Sequence, residues 1–159
     1  MTTAQITTDQ LATLLDGLFG SESKSAPVET PVPIDNPRVV ATYNDLEGNI
    51  HFAITCELSV ANSLGAALSM IPPGGAEDAT AEGTVPANIA ENTYEVLNIC
   101  SAVFADYHQH RIVLDKMYVP GDAIDDQIVS AVDSADCLLQ VQYELERYQT
   151  GKISFLKIA

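Results

Sequence analysis

The sequence has few basic residues: seven Lys and Arg stand against 22 Asp and Glu in 159 residues, which gives a formal net charge of −15. A surface this acidic repels phosphate backbones and anionic lipid headgroups at ordinary salt, so nucleic acid and membranes are not expected as partners. The excess of acid is typical of a solubility adaptation to a salty cytoplasm, and it would equally steer a basic partner. The composition leaves these two interpretations open.

Long apolar runs and paired cysteines are missing as well. Hydrophobic residues make up 47% of the chain, but no uninterrupted stretch approaches the ~18–20 residues of a membrane span, so an internal core is expected. Residues 1–10 contain no Lys or Arg and no apolar block, unlike a secretory signal, and the predicted location is the cytoplasm. Cys56, Cys100 and Cys137 lack the spacing of a zinc site or a disulfide framework and are predicted to be buried, reduced thiols.

The chain is long enough for one domain with a substantial core. Residues 1–20 are predicted to form an amphipathic helix, because the leucines between Leu11 and Leu18 share one helical face. Residues 21–37 hold four prolines and three serines without a usable period, which predicts a flexible linker. The folded domain is therefore expected to span residues 38–159.

The pattern within this domain predicts an α+β fold, with a mostly antiparallel sheet and two long helices packed on one side of it. The expected elements are a hairpin over 38–55, a helix over 57–71, an acidic alanine-rich loop, a helix over about 87–107, a strand over 111–119, a helical turn over 128–132 and a hairpin over 137–158. An unpaired edge of the terminal hairpin would offer a route to homodimerisation.

The predicted helix over 87–107 has one apolar and one polar face. Its apolar arc contains Ile89, Val96, Leu97, Ile99, Cys100, Val103, Phe104 and Tyr107. On the opposite side, Glu91, Glu95, Asn98 and Ala102 follow one another at steps of four, three and four, which predicts an exposed ridge. A solvated acidic face gives the same pattern. Asn98 favours a function, since Asn is a mediocre helix former whose carboxamide both donates and accepts hydrogen bonds.

Two histidines near the end of this helix could suggest a metal site, together with Asp106. His108 and His110 lack the spacing that brings two ligands onto one helical face. Histidines in the last turn of a helix also interact favourably with its dipole. No metal site is predicted.

The ridge resembles the signature of the CheC, CheX and FliY chemotaxis phosphatases. That signature consists of Asp or Ser, three residues, Glu, two residues, Asn, and a Pro a little over twenty residues later. Glu91, Glu95, Asn98 and Pro120 occupy these places, with 120 − 98 − 1 = 21 residues between the last two. The order of elements over about residues 38–159 is similar too, so the chain is expected to have a CheC/CheX-like fold.

The sequence also departs from the family pattern. Glu91 replaces the usual Asp or Ser, and residues 99–104 lack a glycine that the family often shows. The preceding helix holds no second copy of the motif, because neither Glu57 nor Asn62 has its matching partner three residues away. A single motif per chain is closer to CheX than to the two-site CheC.

The resemblance implies a phosphatase that acts on the phosphoaspartate of a CheY-like response regulator. The regulator would hold Mg²⁺ with its own acids, so this chain is expected to need no cofactor. The resemblance further implies that Asn98 orients a water in line with phosphorus and that Glu95 pairs with the active-site lysine of the regulator. Glu91 and Ala102 would be peripheral partner contacts, and Pro120 a structural part of the motif.

Two other functions are compatible with the sequence. One is a non-catalytic CheX-like module that binds a response regulator or another signalling partner without hydrolysing anything. The other is a domain whose acidic helix face is only solvent surface, with the N-terminal helix serving as a docking peptide. Removal of residues 1–36 would then abolish partner binding.

Overall fold

The computed structural model describes residues 5–20 and 23–158, which form an α+β fold around one antiparallel sheet. The strands are β1 (Ser23–Pro27), β2 (Arg38–Asn44), β3 (Ile50–Glu57), β4 (Val113–Tyr118), β5 (Asp136–Leu145) and β6 (Thr150–Lys157). The helices are α1 (Thr8–Phe19), α2 (Leu58–Leu68), α3 (Pro73–Ala81), α4 (Ala87–Ile99), α5 (Ser101–His108) and α6 (Asp126–Asp133). The strand order is β1-β5-β6-β3-β2-β4, and all neighbours are antiparallel. The predicted fold class is confirmed.

One face of the sheet carries the main apolar core, and helices α1 to α5 cover it. Tyr43 of β2 and Phe52 of β3 lie on this face and are fully buried. The ring centroid of Phe104, on α5, is 4.6 Å from that of Phe52 and 4.8 Å from that of Tyr43. The apolar residues that alternate along the strands and the apolar faces of the helices therefore meet in one core.

The opposite face of the sheet has a smaller apolar cluster, in which Val132 of α6 packs against Val40, Ala53 and Leu156. The prediction that the helices lie on one side is wrong for α6, which extends the predicted helical turn over 128–132 to a full helix. The reason is that the central strands carry apolar residues on both faces, so both faces need cover. No helix among the described residues combines the length and apolar character that a membrane crossing requires.

The predicted flexible linker over 21–37 is corrected by the structure. Its residues 23–27 form β1, which pairs with β5, and the side-chain amide of Gln140 binds the backbone N–H and carbonyl of Val32 at 3.1 and 2.7 Å. This segment is ordered by backbone pairing, which a count of apolar side chains does not detect. The N-terminal helix belongs to the same unit, because Leu11 and Leu15 of α1 are fully buried in the main core. Its apolar face is therefore not free to act as a docking peptide.

Two helices differ from their predicted form. The loop expected after α2 contains α3, which begins at Pro73 and buries Ala76 and Ala79. The predicted helix over 57–71 ends earlier, at Leu68, where Met70 has a φ of 60°, and the prolines that were expected to stop it start α3 instead. The predicted helix over 87–107 is divided at Cys100 into α4 and α5.

The free edges of the sheet are β1 and β4. The prediction that the terminal hairpin offers an unpaired edge is wrong, because β1 covers β5 and β3 covers β6. The missed strand β1 is the cause of this error. Strand pairing between two copies would therefore have to use β1 or β4.

Two of the three cysteines are buried as predicted, and the third is not. Cys56 and Cys100 lie in the main core, and burial raises the pKa of the Cys100 thiol to about 12. Cys137 is exposed near the beginning of β5, where the pairing register is irregular. The local apolar sequence around Cys137 does not indicate this end position, so its predicted burial is wrong.

Candidate functional site

The ridge predicted on the second long helix lies at the surface. Glu91, Glu95 and Asn98 of α4 and Ala102 of α5 are all exposed, while Val96 on the other side of α4 is fully buried. Within residues 5–20 and 23–158, the side chains of Glu95 and Asn98 have no hydrogen bond or ion pair. Both groups are therefore free to bind another molecule, and their roles remain predictions.

The position of α4 depends on a close contact with α2. A Cβ atom added to Gly65 of α2 would come within 2.5 Å of the carbonyl oxygen of Ile89 and would also clash with the hydroxyl of Thr93. The buried Thr93 hydroxyl lies 2.9 Å from the carbonyl oxygen of Ala61 and 3.1 Å from that of Ile89. Gly65 thus permits the two helices to approach closely, and Thr93 joins them.

A tyrosine from the sheet holds the end of α4 beside the candidate pair. The hydroxyl of the fully buried Tyr43 donates a hydrogen bond of 2.7 Å to the carbonyl oxygen of Leu97, the residue before Asn98. Burial, followed by the nearby Cys100 and Cys56, raises the pKa of Tyr43 well above its ordinary value, so the phenol keeps its proton. Sequence reasoning missed this contact, because the two residues lie 54 positions apart.

Pro120 lies in a tight turn that follows β4. The backbone N–H of Asp122 donates to the carbonyl oxygen of Val119 at 3.0 Å, and Gly121 has a φ of 99°. Proline followed by a glycine with positive φ is typical of a type II turn. A carboxylate oxygen of Asp122 also accepts a hydrogen bond of 2.9 Å from the backbone N–H of Val119. Pro120 therefore belongs to a turn in which a hydrogen bond from the Val119 N–H holds the carboxylate of Asp122 in place.

A groove of about 620 Å³ lies between α4 and this turn. Its lining includes Glu91, Tyr94, Glu95, Met117, Val119 and Asp122. Asn98 is one helical turn beyond Glu95 and outside the groove. The candidate pair thus lies at the end of a depression formed by elements distant in sequence.

Asn62 on α2, which was considered for a second copy of the motif, has a structural role. Asn62 is fully buried, and its side-chain nitrogen donates to the Thr80 hydroxyl at 3.1 Å and to the Thr84 carbonyl oxygen at 2.9 Å. These bonds connect α2 to α3 and to the loop after it. Asn62 is therefore unable to reach a partner, in contrast to Asn98.

The histidines at the end of α5 form a cluster with a third histidine on β3. The ring centroid of His108 is 4.8 Å from that of His51 and 5.3 Å from that of His110. Burial and then the charges of His51 and His110 lower the pKa of His108, while Asp45 opposes the shift. Among the described residues, no group of three or more His, Cys, Asp or Glu side chains is arranged to hold a metal ion.

Several solved structures are similar to this chain, although no protein-family model and no curated protein sequence matches it. A chain of the FliM–SpeE complex from H. pylori has a TM-score of 0.66 at 8% identity, over 94% of this chain and 80% of that one. The FliM middle domain from H. pylori has a TM-score of 0.56 at 9% identity, over 94% and 84%. CheX from Vibrio vulnificus has a TM-score of 0.45 at 11% identity, over 94% of both chains. The first two matches show the fold, and at this level the predicted resemblance is confirmed.

Proposed function

We propose that the protein dephosphorylates the phosphoaspartate of a CheY-like response regulator, with Asn98 and Glu95 as the residues that meet the substrate. The observation that carries the proposal is their joint exposure, one turn apart, on a helix fixed to the core through Tyr43, Gly65 and Thr93. The FliM middle-domain fold and the turn at Pro120 support it.

Asn98 acts by position rather than by acid or base chemistry. A neutral carboxamide cannot take a proton from water, but its oxygen accepts and its nitrogen donates hydrogen bonds. The side chain enters the pocket of the regulator and orients a water opposite the aspartyl oxygen. The water oxygen bonds to phosphorus, the bond from phosphorus to the aspartyl oxygen breaks, and the aspartyl group leaves as a carboxylate. Both protons of the water leave with the released phosphate, as H₂PO₄⁻. The regulator brings its own Mg²⁺ as part of the substrate.

Glu95 fixes the docked helix by an ion pair. Its carboxylate has no partner among the described residues, so its charge is available to the active-site lysine of the regulator. Docking excludes water from this contact and strengthens it. Loss of one partner of such a pair would weaken binding by about 2–5 kcal/mol.

The proposal is tested with a CheY-like receiver domain that is phosphorylated by acetyl phosphate, with phosphate release as the measurement. We expect Asn98→Ala to lower turnover by about a hundredfold, because the water loses its orientation, and Glu95→Ala to act mainly on KM. Glu77→Ala, an exposed acid on α3, is the matched control and should behave as wild type. Wild-type rates in both Asn98→Ala and Glu95→Ala would show that the assignment is wrong.

The second candidate is a non-catalytic module that binds the regulator or another signalling partner. Glu91 in place of Asp or Ser, and the absence of glycine from residues 99–104, favour it. The FliM–SpeE structure also records a protein of this fold in complex with another protein. This candidate is preferred if the chain binds the phosphorylated receiver and leaves the lifetime of the phosphate unchanged.

A further inference from the structure

The groove between α4 and the Val119–Asp122 turn is lined by apolar side chains and by carboxylates. Met117 and Val119 are half-buried and form the apolar part of its lining, whereas the exposed Glu91 and Asp122 line it from α4 and from the turn. Within residues 5–20 and 23–158, the contacts between acidic and basic side chains are Arg38–Asp133 and His51–Asp45. The carboxylates of the groove therefore form no ion pair within the described part of the chain.

The groove continues toward the free edge of the sheet. An adjoining depression of about 460 Å³ shares Tyr94, Met117 and Asp122 with it and extends to Asp115 and Lys116 on β4. Lys116 lines only this far end and makes no ion pair within the described residues. At the end near α4, beside Glu95, the charge of the lining is entirely negative.

An occupant of this groove must be long, apolar along its stem and cationic at its tip. Lys and Arg side chains have this form, since their methylene stems bury against apolar surface while their charged ends stay at polar groups. A neutral or acidic side chain would dehydrate the carboxylates or repel them without compensation. The net charge of −15 adds long-range attraction for a basic surface.

We propose that the groove, which Glu95 also lines, binds a Lys or Arg side chain from the surface of the docked regulator, in addition to the lysine that pairs with Glu95. The stem of this side chain lies on Met117 and Val119, and its cation lies between Glu91 and Asp122. The identity of the partner rests on the proposed function, while the chemistry of the occupant rests on the groove itself.

This inference gives roles to two features that the catalytic proposal leaves unused. Glu91 stands where the resembled signature has Asp or Ser, and this longer side chain lines the groove. Pro120 and Gly121 shape the turn that holds Asp122 opposite α4. Pro120 is thus a positioning residue for the second wall of the groove.

The test measures the dissociation constant of a CheY-like receiver domain loaded with beryllofluoride and Mg²⁺. We expect Glu91→Gln to weaken binding by about threefold and Glu91→Lys by about tenfold or more, mainly through slower association. Glu77→Gln and Glu77→Lys make the same changes in net charge at an exposed position on α3 and should bind as wild type. Equal dissociation constants for Glu91→Lys and Glu77→Lys would overturn the inference.

A charge swap provides the second arm of the test. The tight binding lost in Glu91→Lys should return when one basic residue on the receiver surface is changed to Glu, and failure of every such change would count against the groove. Added salt should weaken the wild-type complex more than the Glu91→Gln complex, because the variant lacks one charge–charge contact that salt screens.

The two proposals fail in different ways. If Asn98→Ala loses turnover while Glu91→Lys binds like Glu77→Lys, only the groove inference is wrong. If Asn98→Ala hydrolyses at the wild-type rate while Glu91→Lys weakens binding, the phosphatase proposal is wrong and the groove remains a docking site. A wild-type protein that binds no receiver domain overturns both.

Discussion

Tyr43 shows how one buried side chain can control an exposed one. The centroid of its ring lies 4.8 Å from the ring centroid of Phe104 inside the core. Its hydroxyl donates a hydrogen bond to the carbonyl oxygen of Leu97 in α4. Asn98 follows directly and points to solvent. The direction of the exposed carboxamide is therefore coupled to a hydrogen bond that lies wholly inside the protein.

We expect Tyr43→Phe to lower the free energy of unfolding by about 1–2 kcal/mol, because the carbonyl oxygen of Leu97 loses its buried donor. If Asn98 orients water, kcat should also fall while KM changes little. Urea unfolding and phosphate release measure the two effects. Tyr148→Phe is the control, since its hydroxyl donates to the Ile71 carbonyl oxygen at 2.6 Å, away from Asn98. Identical turnover in the two variants would argue against a positioning role for Tyr43.

The contact between helices α2 and α4 sets the position of the candidate site as a whole. At Gly65 the backbone of α4 comes so close that there is no space for a methyl group. Thr93 and Ile89, which form this contact, lie on the side of α4 opposite to Glu95 and Asn98. A displacement at Gly65 would therefore shift the exposed ridge.

We expect Gly65→Ala to lower the free energy of unfolding by about 1–3 kcal/mol through overpacking. Gly17→Ala is the control, because a Cβ atom at this exposed position in α1 meets nothing within 4 Å. It should instead stabilise the protein by about 0.4–1 kcal/mol. Thermal unfolding of the two variants measures the difference, and equal melting temperatures would contradict the tight-contact interpretation.

Elements with a strong local pattern could be predicted from the sequence, and elements held by distant partners could not. The face of α4 with Glu95 and Asn98 follows from helical periodicity, because apolar residues fill the other side. Strand β1 has few apolar side chains and depends on pairing with β5. Helix α3 begins at a proline and contains two glycines, so its sequence looks like a loop. The groove was not predictable, since its walls come together only in the folded chain.

At the scale of the whole molecule, the N-terminal segment completes the sheet and the core. Its β1 closes the outer side of β5, and α1 buries Leu11 and Leu15 over the main core. The order β1-β5 joins the first and the fifth strand of the chain, a long-range pairing that local patterns do not encode. The N-terminal segment and β5 therefore stabilise each other.

We expect a chain that begins at residue 37 to unfold at a lower temperature and to self-associate, because it exposes the edge of β5 and the apolar surface under α1. Size-exclusion chromatography and thermal unfolding measure both effects. A truncated chain that remains monomeric and equally stable would show that the N-terminal segment is dispensable. This result would restore the interpretation of residues 1–37 as an independent appendage.

Both borders of the sheet are poorly suited to growth by addition of identical copies. The β1 border ends at Pro27, which has no N–H to donate, and it also carries the exposed Lys24. The β4 border carries the exposed charges of Asp115 and Lys116. Such features hinder the pairing of an edge strand with the edge strand of another copy. Fibre formation through edge pairing of identical copies is thereby disfavoured.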